Sequence, residues 1–151
     1  LDNKIKTAER LFNTFNQFSK LNKMGSPVKG LKTSEIYTLF CIERLTSQKS
    51  EGVKVSQISR MLDVTPPTVT QLINGLEKKA CIERQINIKD RRAVQIRLTE
   101  KGKTVVDAAS KAFYNYFQGL VDYLGEEKSN QLSELLILVL SYSKNYKPGY
   151  N

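Results

Sequence analysis

Two consecutive prolines, Pro66 and Pro67, sit between two stretches of helical periodicity near the middle of a 151-residue chain. Proline has no amide hydrogen and clashes with the preceding turn, so such a pair has no place inside a helix or a central strand. It fits the first turn of a helix, where amide hydrogens have no intrahelical partner. Thr65 then reads as the N-cap, and Val69, Leu72, Ile73 and Leu76 carry an apolar stripe to about Lys79. Just upstream, Ser56 reads as the cap of a short helix over 57–62 with Ile58, Met61 and Leu62 inward, followed by a turn at Asp63–Val64. Two helices, a tight turn between them and a sharp start to the second make a helix-turn-helix.

Beyond this pair the apolar period changes from 3.6 to 2. Ile82, Arg84, Ile86 and Ile88 alternate, as do Val94, Ile96 and Leu98, around the polar tip Lys89-Asp90-Arg91-Arg92. Two alternating runs about a charged tip predict a β-hairpin with a long loop. Val53–Val55 is too short for more than a stub of strand. Longer helical patterns flank this module. Ile5, Ala8, Leu11, Phe12, Phe15, Phe18 and Leu21 define one helix face, which ends at the Gly25–Gly30 break. Thr33 predicts the cap of a helix with Ile36, Leu39, Phe40, Ile42 and Leu45 inward and Glu35 in its first turn. Thr99 caps a helix running to about Leu124, and Gly125 separates it from a last helix ending near Tyr142.

Charge is placed unevenly. Of the net +9, residues 53–104 carry eleven basic against five acidic side chains, whereas residues 105–151 carry four against five. Basicity gathered in one module is the footprint of nucleic-acid binding, although a solvated surface is the plainer reading of charge alone. The chain has no His, which removes the commonest general base and metal ligand. Cys41 and Cys81 stand alone, without a C-x-x-C, so no zinc site, metal or disulfide framework is expected. The longest strictly apolar run, Leu135–Leu140, is far short of a membrane span. No apolar leader opens the sequence, and with two thiols this predicts a cytoplasmic chain. Two enzyme-like matches fail. Gly102-Lys103-Thr104 resembles the end of a P-loop but has Arg97 where that motif needs Gly, and Ser26-Pro27-Val28-Lys29 lacks the partner motifs of S-x-x-K enzymes. No enzyme and no cofactor are expected.

In order along the chain, LKTSEIYTLF, VSQISRMLDVTPPTVTQLINGLEKK, the D-R-R of Asp90, Arg91 and Arg92, and LTEKG at 98–102 resemble the winged helix-turn-helix of MarR-type transcriptional regulators. The likeness covers about 31–104. It implies a mainly α (α+β) fold, a winged helix-turn-helix with a small β-hairpin wing flanked by N- and C-terminal dimerisation helices. One domain over 1–151 is expected, with a DNA-binding lobe at 31–104 and dimerisation helices in 1–30 and 105–151. Three positions depart from the family pattern. Ala80 replaces the Gly that usually ends the recognition helix, Asp63 replaces a turn Gly, and Ser59 stands where a small Ala is usual.

With its stripe inward, the second helix of the motif offers Thr65, Pro67, Thr68, Thr70, Gln71 and Asn74 to the major groove. Gln pairs with adenine, Thr hydroxyls suit base or phosphate, and Thr methyls touch thymine. The helix N-terminus adds free amides and the positive end of the dipole. The resemblance implies that Arg92 enters the minor groove, steadied by Asp90, where a guanidinium suits the negative potential of narrow A·T-rich DNA. Arg84, Lys89, Arg91 and Arg97 are expected to add phosphate contacts.

The last helix is apolar almost all round at Leu135–Leu140, so it needs cover on more than one side. A second copy supplies it most economically, joined by the Phe12, Phe15 and Phe18 face and the aromatic Phe113–Tyr123 segment. A C2 homodimer presents two recognition helices to a pseudopalindromic double-stranded operator. The resemblance further implies a small, often aromatic effector in a crevice lined by Phe15, Tyr37, Cys41 and Phe113, residues whose ordinary role is core packing. Some relatives sense oxidants through a cysteine, and here Cys81, with basic neighbours, is the better candidate of the two. The function expected is that of a sequence-specific DNA-binding transcriptional regulator, most often a repressor in this family. The alternatives are a ligand- or protein-binding adaptor that kept the winged fold without operator binding, and a nonspecific nucleic-acid coat.

Overall fold

A computed structural model describes residues 2–21, 26–47, 52–86 and 94–146. Its elements run α1 (Asp2–Leu21), α2 (Thr33–Ser47), α3 (Val55–Leu62), α4 (Pro66–Lys78), β1 (Ile82–Ile86), β2 (Val94–Leu98), α5 (Glu100–Leu124) and α6 (Glu126–Asn145). They group into two compact units, Leu1–Val106 and Asp107–Asn151, with the boundary inside α5. Among the described residues no helix is long and apolar enough to cross a membrane.

The core of the first unit is built where the stripes of α2, α3 and α4 meet the hairpin. Leu39, Ile42, Ile58, Val69, Ile73, Leu76, Cys81, Ile82, Ile96 and Val106 are all buried together. Each fully buried Leu, Ile or Val adds roughly 1.5–3 kcal/mol of transfer free energy. β1 and β2 pair antiparallel in the register Ile82↔Leu98 to Ile86↔Val94. Val53 adds a single bridge to Ile96, with N–H···O distances of 2.9 and 2.8 Å in the two directions, so the predicted stub is one residue long.

Helix starts differ from the sequence reading at two places, for the same reason. α2 begins at Thr33 itself, so Lys32 takes the capping position, its carbonyl accepting from Ile36 N at 3.1 Å. α3 begins at Val55, not after Ser56, with Lys54 as its N-cap. In both, a long side chain three residues on reaches back to the cap amide: Glu35 Oε2 accepts from Lys32 N at 2.7 Å, and Gln57 Oε1 from Lys54 N at 2.9 Å. This half of a capping box works without a Ser or Thr at the cap. Met61, expected inward, is exposed, while Ile58 fills the core position of α3.

Thr99 caps α5 as expected, its Oγ1 accepting from Gly102 N at 3.0 Å while donating to Ala80 O at 2.7 Å. A Cβ built on Gly102 would lie 1.9 Å from the Cys81 carbonyl oxygen. Only glycine lets the first turn of α5 approach the hairpin this closely. The long faces elsewhere remain open: Leu11, Phe12, Phe15 and Phe18 of α1 and Leu135 to Leu140 of α6 are exposed.

Candidate nucleic-acid interface

α4 is held at its far end and open at its near end. Its C-terminus closes with Cys81 N on Leu76 O at 3.0 Å and Ala80 N on Glu77 O at 2.8 Å. This is the paired bonding of a Schellman motif, with Ala80 in the left-handed conformation at φ 56° where glycine is usual. The departure flagged in the sequence therefore leaves the helix end intact, at a steric cost of roughly 1–2 kcal/mol. Lys101 Nζ donates to Lys79 O at 2.7 Å, placing a cation at the negative end of the helix.

A second anchor was not foreseen. Lys79 Nζ sits 2.8 and 2.6 Å from the two carboxylate oxygens of Glu35, which is buried at the start of α2. Burial pushes the Glu35 carboxyl up, but the Lys32 amide and the Lys79 ammonium outweigh it and hold the pKa below the usual glutamate range. Gly75 faces the same carboxylate, with Glu35 Oε1 at 3.1 Å from where a Cβ would stand. The sequence signal lay in a first-turn acid and a glycine inside a helix 40 residues apart, which local periodicity does not connect.

The turn before α4 is equally fixed. Asp63 adopts the left-handed conformation, φ 53° and ψ 46°, which Asp tolerates better than most residues. Ser59 Oγ donates to Val64 O at 2.5 Å, a bond the Ala usual at this position does not make. Ser59 thus ties α3 to the turn.

Thr65, Pro67, Thr68, Thr70, Gln71 and Asn74 are all exposed on α4, as the apolar stripe predicts. Their chemistry is not quite the expected one. Pro66 and Pro67 occupy the first two helical positions, so two of the four amides that a helix N-terminus leaves free do not exist here. Backbone capture of a phosphate is correspondingly reduced. Two hydroxyls stand at the helix tip instead: Thr65 Oγ1 and Thr68 Oγ1 are 2.8 Å apart and form a paired donor–acceptor site.

Arg84 and Arg97 part company. Arg84, opposite Ile96 in the hairpin, donates from Nη2 to Asn74 Oδ1 at 2.6 Å and from Nη1 to Glu77 Oε2 at 2.8 Å. Its head group therefore rests on the side chains of α4. Arg97 lies opposite Glu83, one residue out of phase and so on the other face of the hairpin. There it lines a cleft of about 510 Å³ with Glu43, Glu83, Glu100 and Lys103, a mixed-charge setting apart from α4. Lys89, Asp90, Arg91 and Arg92 lie outside the described residues.

Of the residues proposed to line an effector crevice, Phe15 and Tyr37 are about half exposed, Phe113 is partly buried and Cys41 is in the core. Burial pushes the Cys41 thiol up, and does the same to Cys81 despite Lys101 and Lys79 nearby. Both are poor thiolate nucleophiles.

Residues 31–94 match the model of the MarR family, spanning α2 through the start of β2. Over this stretch the chain belongs to the MarR family. The HTH-type transcriptional repressor MdtR of Bacillus subtilis is 32% identical over 92 residues, 60% of this chain and 59% of its own length. Among solved structures, Streptococcus pneumoniae FabT in complex with DNA superposes with a TM-score of 0.69 at 28% identity, covering 94% of this chain and 98% of its own. S. aureus MepR bound to ethidium bromide gives 0.59 at 28% identity, covering 85% and 93%. The likeness in three dimensions thus extends past the MarR segment into the flanking helices, where the sequence carries no motif.

Proposed function

We propose that this MarR-family chain is a DNA-binding transcriptional regulator acting as a repressor, a homodimer on a pseudopalindromic double-stranded operator in the cytoplasm. The observation that carries it is the exposed face of α4. Thr68, Thr70, Gln71 and Asn74 lie along a helix whose C-terminus is anchored by Glu35, Lys79 and Lys101 and whose tip is exposed. A rigid helix with small polar groups on its open half suits the major groove. FabT, solved with DNA, supports the reading, as does MdtR, a repressor.

Thr65 and Thr68 take phosphate at the helix tip, and Gln71 reads a base edge. From the resemblance, Arg92 and Asp90, with Lys89 and Arg91, are the further candidates for DNA contact. Dimerisation uses the exposed apolar faces of α1 and α6, and a small aromatic cation or phenol acts as effector, a reading favoured by MepR with ethidium bromide. The test is fluorescence anisotropy on duplexes enriched from a random pool. Gln71→Ala is expected to lose about 1–3 kcal/mol on enriched duplexes and little on unselected DNA. Equal losses on both overturn base reading by α4 and favour a nonspecific coat. No binding to any duplex by an intact dimer favours the adaptor.

A further inference from the structure

Asn74 is presented to the groove already hydrogen-bonded. Its Oδ1 accepts from Arg84 Nη2 at 2.6 Å, while Arg84 Nη1 is held by Glu77 Oε2 at 2.8 Å. Asn74 and Glu77 are three residues apart and so neighbours on one face of α4, spaced for the two terminal nitrogens of one guanidinium. The bond to Asn74 is charge-assisted, and a guanidinium can only donate, so it fixes which end of the amide is which. An asparagine free to turn pairs with adenine by accepting from N6 and donating to N7 at once. With its oxygen turned to Arg84, the amide offers a base its Nδ2 hydrogens, which suit acceptors that have no donor beside them: N7 with O6 of guanine, or O4 of thymine, whereas adenine sets its N6 donor next to N7.

We propose that Arg84 is a specificity-determining positioning residue: by holding the Asn74 amide it turns a potential adenine reader into a donor that selects guanine or thymine. This rests on the DNA-binding reading above. Arg84 thereby has a role beyond the phosphate contact expected from its charge, and Glu77 keeps the guanidinium in place. The arrangement links the first wing strand to the recognition helix through polar atoms, so a base preference at the helix depends on a residue of the hairpin.

The experiment is selection from a random duplex pool with wild type, Asn74→Ala, Arg84→Lys, Arg84→Ala and Glu77→Gln, after circular dichroism has shown each to be folded. Asn74→Ala identifies the base pair concerned by loss of preference there. Wild type is expected to favour guanine or thymine at that position, and Arg84→Lys to shift it toward adenine by at least about fivefold, the scale of one good base contact. Lysine keeps the charge but cannot hold both acceptors in a planar fork. Glu77→Gln is expected to shift it in the same direction by less. An unchanged preference in Arg84→Lys, with Arg84→Ala weakening all duplexes alike and lowering the salt dependence, assigns Arg84 to phosphate alone and overturns the proposal. Adenine already favoured by wild type also overturns it. Failure of wild type to enrich any sequence overturns the DNA-binding reading itself, a distinguishable result.

Discussion

Ala80 is a residue whose side chain opposes its backbone. At φ 56° it sits in the left-handed region, and its carbonyl oxygen and amide are both used, by Thr99 and Glu77. Ala80→Gly removes the Cβ penalty while adding freedom to the unfolded chain, so a net gain of about 0.5–1 kcal/mol is expected by denaturant titration. A loss of stability would show that the Schellman bonds, not the Cβ, limit this site. Glu35 is the opposite case, a residue whose environment suits its charge. Its folded pKa lies below the ordinary glutamate value of about 4.3, so its contribution is present above that pH and disappears as the pH falls toward the folded pKa. Thermal unfolding of wild type is therefore expected to weaken through this acid range more than that of Glu35→Gln. At neutral pH the substitution costs on the order of 1–3 kcal/mol, the scale of hydrogen bonds to a charged group. Parallel acid profiles for the two proteins would contradict the pairing with Lys79. Asp63 was legible as a left-handed turn position because Asp tolerates it, but Ala80 only as a departure from the family's glycine, since an alanine leaves no local mark of the left-handed closure it keeps. Sequence reasoning missed the partner of Glu35, which lies 44 residues away in the sequence.

Elements were legible wherever a period or a breaker fixed them. Pro66 and Pro67 set the start of α4, Gly125 the break before α6, and the change to alternation set the hairpin. Starts of α2 and α3 slipped because Lys32 and Lys54 cap without a characteristic side chain, the work being done by Glu35 and Gln57. Docking of α5 was legible only as a motif. Thr99 and Gly102 read as cap and family residue, but the reason for glycine is the Cys81 carbonyl 1.9 Å from its missing Cβ. Gly102→Ala forces backbone away from backbone and is expected to cost at least about 2 kcal/mol, at the upper end of overpacking penalties. The check is chemical denaturation. Wild-type stability in this variant would mean that the first turn of α5 can shift freely off the hairpin. Arg97 illustrates a different limit. Its charge alone grouped it with Arg84, whereas strand parity puts it opposite Glu83 on the other face of the hairpin, a distinction that composition cannot make.

At the scale of the whole molecule, the apolar surface is in the wrong place for a lone chain. Leu135, Ile137, Leu138 and Leu140 of α6 are each more than half exposed, as are Leu11, Phe12 and Phe18 of α1. Exposed apolar faces of this kind mark interfaces. If, as proposed, the chain homodimerises through these faces, sedimentation at micromolar concentration is expected to report two chains, and Leu138→Glu to shift the population toward one. A monomeric wild type would contradict it. Two chains related by a twofold axis carry two copies of α4, and the spacing of their half-sites follows from the spacing of the helices. Sequencing the duplexes that wild-type protein enriches from a random pool tests operator recognition by the dimer. An inverted repeat with half-site centres about one helical turn apart is expected. Enrichment of a single unrepeated site, or of no sequence at all, would contradict it.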